Sequence, residues 1–119
     1  MSAPLLLGID LGTTTCRAMV FDPAGHEVAG AAVETPVRYP QPSWAEVDPE
    51  AWWAGVVEVV RGVLGAGRVA PEAIAGIGLS GLMHAPVLLD GVGRPVTPAM
   101  LWMDQRCAPQ CAAIRREAE

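Results

Sequence analysis

The chain opens on an apolar run, Leu5-Leu6-Leu7-Gly8-Ile9, that stops at Asp10 and a Gly12-Thr13-Thr14 break before an extended pattern resumes over Cys16 to Asp22. Short apolar runs bounded by glycine turns mark buried strands, and two in succession predict a hairpin. Pro23-Ala24-Gly25 supplies a second turn, and small and apolar residues alternate from His26 to Thr35. Three antiparallel strands should therefore open the fold. Three prolines and no period in Pro36 to Trp44 predict a surface loop. Asp48-Pro49-Glu50 then offers an N-cap, a proline at the first helical position and an acid in the first turn. Trp52, Val56, Val59, Val60 and Val63 follow at helical spacing, which predicts a helix over Pro49 to Leu64. Ala75 to Ser80 and Pro86 to Asp90 read as strands, Gly91-Val92-Gly93 as a turn after them, and Ala108 to Glu117 as a helix.

Composition narrows the class. Of the 119 residues, 51% are hydrophobic and 18% charged, enough apolar surface for one globular domain and too little charge for disorder. A net charge of -5 would be repelled by a nucleic acid duplex or an anionic membrane, so neither is an expected partner. All basic residues are Arg, which excludes a Walker A loop, because that motif needs its Lys. No secretory leader is visible, no apolar run reaches the roughly 18 residues of a membrane span, and the cysteine count, 3, is odd. A reducing, cytoplasmic setting is expected. Cys107 and Cys111 lie four apart, but His26 and His84 are distant in sequence, so the four ligands of a zinc site are not expected.

The candidate chemistry begins at Asp10. An acid, a glycine and three hydroxyls in Asp10-Leu11-Gly12-Thr13-Thr14-Thr15 suit a phosphate-binding hairpin: Gly12 lets the backbone approach an anion, amides and hydroxyls donate to it, and Asp10 can hold hydrated Mg²⁺. A tight hairpin that merely needs glycine and tolerates threonine explains the same residues. Gly76-Ile77-Gly78-Leu79-Ser80-Gly81 matches a dinucleotide-binding spacing, yet its glycines fall inside an apolar strand that opens no helix, which argues against NAD.

Gly8-Ile9-Asp10-Leu11-Gly12-Thr13-Thr14 resembles the first phosphate motif of the superfamily joining actin, Hsp70 chaperones and sugar kinases. Three further segments resemble FGGY carbohydrate kinases, in the family's order. They are Gln41 to Trp53, then Gly76 to His84 with Val87-Leu88-Leu89-Asp90, then the Trp-x-Asp-x-Arg turn at Trp102-Met103-Asp104-Gln105-Arg106. The second and third are similar to xylulokinases.

The resemblance implies an α/β, RNase H-like fold, with residues 1–119 as part of the family's amino-terminal domain and the rest of that domain and a second one not included. It implies an ATP- and Mg²⁺-dependent kinase for a small sugar, a ketopentose such as D-xylulose foremost. Asp10, Gly12, Thr13, Thr14, Thr15 and Arg17 would face phosphates and metal, with Asp10 reaching Mg²⁺ through water. Met83, His84, Trp102 and Asp104 would face the sugar, with Arg106 shaping the turn. For Met83, His84 and Trp102 a place in the core is the alternative reading. The general-base aspartate is expected beyond Glu119, so residues 1–119 alone should be inactive. A homodimer is open to the full-length protein. Leu82 and Met103 stand where many xylulokinases have Gln and Asn, which keeps ribulose and gluconate in view. Glycerol kinases carry Arg-Glu at the place of Met83-His84. The competing class is a non-catalytic nucleotide-binding module of the same superfamily.

Overall fold

A computed structural model describes residues 3–65 and 69–118. In chain order the elements are β1 (Leu5–Leu11), β2 (Thr15–Phe21), β3 (Glu27–Glu34), β4 (Glu46–Val47), α1 (Pro49–Gly65), a 3₁₀ turn (Pro71–Ala73), β5 (Ile74–Gly81), β6 (Ala99–Met100) and α2 (Ala108–Ala118). They divide into two compact units, Met1–Pro36 with Glu50–Leu82, and Val37–Pro49 with Met83–Glu119.

The first unit is a four-stranded mixed sheet in the order β3-β2-β1-β5. β1, β2 and β3 run antiparallel in succession, as the alternation predicts, and β5 lies parallel to β1. Alternate residues of a strand face opposite ways. Leu7 and Ile9 of β1 and Cys16, Ala18 and Val20 of β2 are buried in one cluster with Val59 and Val63 of α1, and Val56 and Val60 pack against it. Burying each of the Leu, Ile and Val side chains in it stabilises the unit by about 1.5–3 kcal/mol. β5 leaves Ile77 and Leu79 exposed.

Of two α1 glycines that face the sheet, Gly62 is the one whose missing side chain lets the helix come close, since a Cβ on Gly55 would make ordinary contact. A Cβ on Gly55 would sit 3.5 Å from both Cys16 Cβ and Val33 Cγ1, and one on Gly62 would sit 2.9 Å from Ala31 Cβ. Alanine at Gly62 gains about 1 kcal/mol of helix propensity but forces a strand backbone aside, and overpacking of this kind costs about 1–3 kcal/mol. Gly62→Ala should therefore lower the denaturation midpoint. Gly65→Ala, whose Cβ meets nothing within 4 Å, should leave it unchanged or raise it.

The second unit holds the two-residue ladder of β4 against β6, extended by an Arg38–Glu46 bridge, and α2. The Pro86 to Asp90 strand expected from sequence does not form. Only a Leu89–Pro95 bridge is made there, flanked by Val96 amide to Leu88 carbonyl and Asp90 amide to Arg94 carbonyl bonds; the next hydrogen-bonded pair in that register would join Pro86 and Pro98, which have no N–H to give. Asp90 instead organises the turn, accepting from the Val92 and Arg94 amides at 2.9 Å each, while Gly93 takes φ 82°. The same device closes the β2–β3 turn, where Asp22 accepts from the Ala24 and His26 amides and Gly25 takes φ 88°.

Candidate functional site

The β1–β2 turn is where the sequence places the phosphate hairpin. Gly12 donates its amide to the Thr15 carbonyl at 2.9 Å, and a Cβ on Gly12 would stand 3.0 Å from that same oxygen, so the turn is tight enough to favour glycine. The Gly12 amide is thereby spent on the turn. Donors toward an anion are then left to the threonine hydroxyls and the rest of the turn backbone. From behind, the turn is fixed by Thr35, whose amide donates to the Thr14 carbonyl at 2.9 Å, and by Leu82, whose amide donates to the Leu11 carbonyl at 2.9 Å.

Asp10 lies on the sheet face opposite Leu7 and Ile9 and is exposed. Register sets its neighbours: Arg17 opposite on β2 and Ser80 alongside on β5. All three line a groove of about 400 Å³ with Gly8, Met19, Phe21 and Gly78 among its walls. Ser80 lines this groove beside Asp10, a place that sequence reasoning, which read it within a strand and its motifs, did not assign to it. Its one signal is its position near the end of an apolar run, and that acquires meaning only through the parallel pairing with β1. The glycines of the dinucleotide-like spacing lie in β5 itself, as the sequence argument against NAD expects.

Mg²⁺ keeps much of its water and is commonly held by one or two carboxylates together with substrate phosphates. An exposed carboxylate paired in register with a serine, at the end of the strand that leads into the β1–β2 turn, fits that mode. A dedicated protein cage is not what these residues offer, since no three His, Cys, Asp or Glu side chains gather around a metal position among the described residues.

In the second unit Met83 and His84 are both exposed within residues 1–119. His84 takes φ 56°, the left-handed region that a non-glycine residue enters uncommonly and that clusters at functional sites. Trp102 is 62% exposed. Asp104 requires a correction. Its side chain is only 3% exposed, and its carboxylate accepts from the Ala45 amide at 2.7 Å and from Arg106 Nη2 at 2.7 Å. The carboxylate is turned inward and shapes the turn, leaving nothing aimed at a sugar.

Arg106 is structural, as expected, and does more than pair with Asp104. It reaches Glu46 Oε2 at 2.9 Å and lies 3.7 Å from the centre of the Trp44 ring. Hydrogen bonds from Arg106 hold the Asp104 carboxyl down at about 2, against burial, with the Ala45 amide adding to the effect. This clasp sits beside Trp102 in sequence and ties the Trp102 turn to the strand at Glu46.

Residues 5–119 match the family described as "FGGY family of carbohydrate kinases, N-terminal domain". The chain belongs to this family. It is similar to a glycerol kinase of Acidovorax sp. (strain JS42), 38% identical over 113 residues that make up 94% of this chain and 23% of the relative. Among solved structures it is similar to a xyloylose (xylulose) kinase from Brucella ovis, with TM-score 0.88, 36% identity and coverage of 96% of this chain and 24% of that one. A xylulose kinase from Rhodospirillum rubrum gives TM-score 0.84 and 32% identity, over 95% of this chain and 23% of that one. The chain thus spans about a quarter of the length of these relatives. The mixed sheet with its helices is the opening of the RNase H-like fold shared by sugar kinases, actin and Hsp70. FGGY kinases act on small sugars and related polyols with ATP and a divalent metal. No helix among the described residues is long and apolar enough to cross a membrane.

Proposed function

We propose that the intact protein phosphorylates a ketopentose, D-xylulose foremost, and that residues 1–119 supply its phosphate-gripping hairpin and part of its sugar contacts. The observation that carries the substrate reading is the exposed Met83-His84 pair, with His84 at φ 56°. Arg-Glu stands at this place in glycerol kinases. A neutral pair offers an apolar wall and one hydrogen-bonding ring where the glycerol enzymes offer two charges. The similarity to xylulose kinases of known structure supports the same reading, and the equally extensive identity to glycerol kinases makes glycerol a competing substrate for the test to decide. Ribulose and gluconate remain the nearest alternatives, because gluconate kinases carry Met-His as well.

Bound Mg·ATP would supply the phosphoryl group and neutralise charge on its oxygens. Asp10 would accept hydrogen bonds from metal-bound water, and the hydroxyls of Thr13, Thr14 and Thr15 would donate to phosphate oxygens. The Arg17 guanidinium, opposite Asp10 in the register, adds positive charge for the anion. On the sugar side, Met83 presents an apolar wall, His84 hydrogen-bonds a hydroxyl, and Trp102 lies against the carbon face of the ring or chain. The acceptor hydroxyl needs a base to take its proton, and this reading assigns that task to an aspartate beyond Glu119.

The test is a split of kinetic constants in His84→Ala. Loss of one hydrogen bond to a substrate hydroxyl is worth about 1–3 kcal/mol, which predicts a KM for the ketopentose about 5–150-fold higher and an unchanged KM for ATP. An unchanged sugar KM, or a shift confined to ATP, would remove His84 from the sugar site.

A further inference from the structure

Two thiols on α2 and its approach have no part in the phosphate or sugar chemistry. Cys107 and Cys111 are both exposed, and their Sγ atoms stand 4.0 Å apart. The Cys111 amide donates to the Cys107 carbonyl at 3.0 Å, so a helical turn places one thiol above the other. The third cysteine, Cys16, is 0% exposed in the core of the first unit and takes no part.

Distances decide what such a pair accommodates. A disulfide brings Cβ atoms to about 3.5–4.5 Å and sulfurs to about 2.05 Å, whereas Cβ atoms four apart on a helix stand about 5–6 Å from each other. Closing that bond would unwind the turn. A metal ion requires no such movement: with bonds near the roughly 2.3 Å of a zinc thiolate, sulfurs 4.0 Å apart subtend about 120° at the ion, the angle of a three-coordinate centre.

The donors then select the ion. Two thiolates fill half of zinc's tetrahedral shell, and no third His, Cys, Asp or Glu ligand joins them among the described residues. Magnesium and calcium seek oxygen. Soft thiolates select Cu(I), a d¹⁰ ion for which this bent pair supplies two corners of a trigonal shell and leaves the third to a small external donor.

We propose that Cys107 and Cys111 form a dithiolate site for a soft monovalent cation of the Cu(I) class. Each thiol releases its proton to solvent as it ligates, and the ion keeps its oxidation state, so no electron is transferred. Binding would stiffen the start of α2, next to the Arg106 clasp in the chain.

The test is an anaerobic titration of the intact protein with Cu(I) in competition with a chromophoric Cu(I) chelator. One ion withheld per chain is expected, with near-ultraviolet thiolate-to-metal absorbance, and at least ten-fold weaker retention in Cys107→Ser and in Cys111→Ser. Both positions are exposed, so serine should leave the far-ultraviolet circular dichroism unchanged. X-ray absorption on the wild-type complex gives a readout independent of the variants, with sulfur expected as the main nearest shell. Equal retention by the Cys107→Ser, Cys111→Ser double variant, no retention by the wild type, or a nearest shell of nitrogen and oxygen alone would overturn the proposal.

Discussion

Asp10→Asn in the intact protein is expected to lower kcat for sugar-dependent ADP formation by about 10²–10³-fold, the usual effect of removing one preorganised electrostatic contact to a transition state. Folding should barely notice. Asp10 is exposed on the sheet face away from the α1 core, and substitutions at such places usually stay within about 0.5 kcal/mol. Asparagine keeps the size and loses the charge, so the variant separates metal handling from packing. Its activity should fall further behind as Mg²⁺ becomes limiting, which a titration of rate against Mg²⁺ at fixed ATP would read. If Asp10 were only a residue at the end of a hairpin strand, kcat and its Mg²⁺ dependence would match the wild type.

The second large effect falls on stability. Asp104→Ala removes the acceptor for the Ala45 amide and for Arg106 at once, leaving a part-buried guanidinium with Glu46 and Trp44 alone. Breaking a buried, hydrogen-bonded charge pair from one side typically costs about 3–5 kcal/mol. Arg106 is 21% exposed, so water recovers part of its solvation and the loss should fall below that range while remaining a clear drop in the denaturation midpoint. Acid provides the control. The Asp104 carboxyl is lowered from 3.8 to about 2 in the folded chain, so its contribution is fully present above the unfolded value and fades as pH falls through the folded one. Denaturation midpoints of wild type and Asp104→Asn should differ by a constant amount above about pH 5 and converge toward about pH 2. A gap independent of pH would mean that the carboxylate charge plays no part in holding the turn.

Local pattern reveals local structure, and the limits of the sequence reading follow from that. β1, β2, β3 and α1 were legible because each has a period, a punctuating turn and, for α1, a start signal at Asp48-Pro49-Glu50. β4 and β6 are two residues each, too short for any period, and exist because Glu46 and Met100 meet across more than fifty residues of chain. The prolines that defeat a ladder at Pro86 to Asp90 were visible, but the apolar Val87-Leu88-Leu89 run outweighed them.

The site divides in the same way. Gly12 and the threonines could be read from a single turn, and Asp10 from its place at the strand's end. Ser80 could not, because its position beside Asp10 depends on a parallel register set elsewhere. The inward turn of Asp104 depends on an amide at Ala45, 59 residues away, and nothing in Trp-x-Asp-x-Arg distinguishes that from a carboxylate aimed at a sugar. His84 shows its left-handed backbone only in three dimensions, since His carries no signal for it as Gly does.

The most direct test of the kinase reading is ATP-dependent turnover by the intact protein on D-xylulose, D- and L-ribulose, D-gluconate and glycerol, each compared by kcat/KM with Mg²⁺ present. The account predicts D-xylulose ahead of glycerol by at least about 100-fold, the scale on which a site built around one set of hydrogen bonds rejects a substrate that leaves them unpaired. Glycerol as the best substrate would contradict the reading of Met83 and His84. ATP binding by a folded protein with no turnover on any of the five would contradict the proposed substrate class.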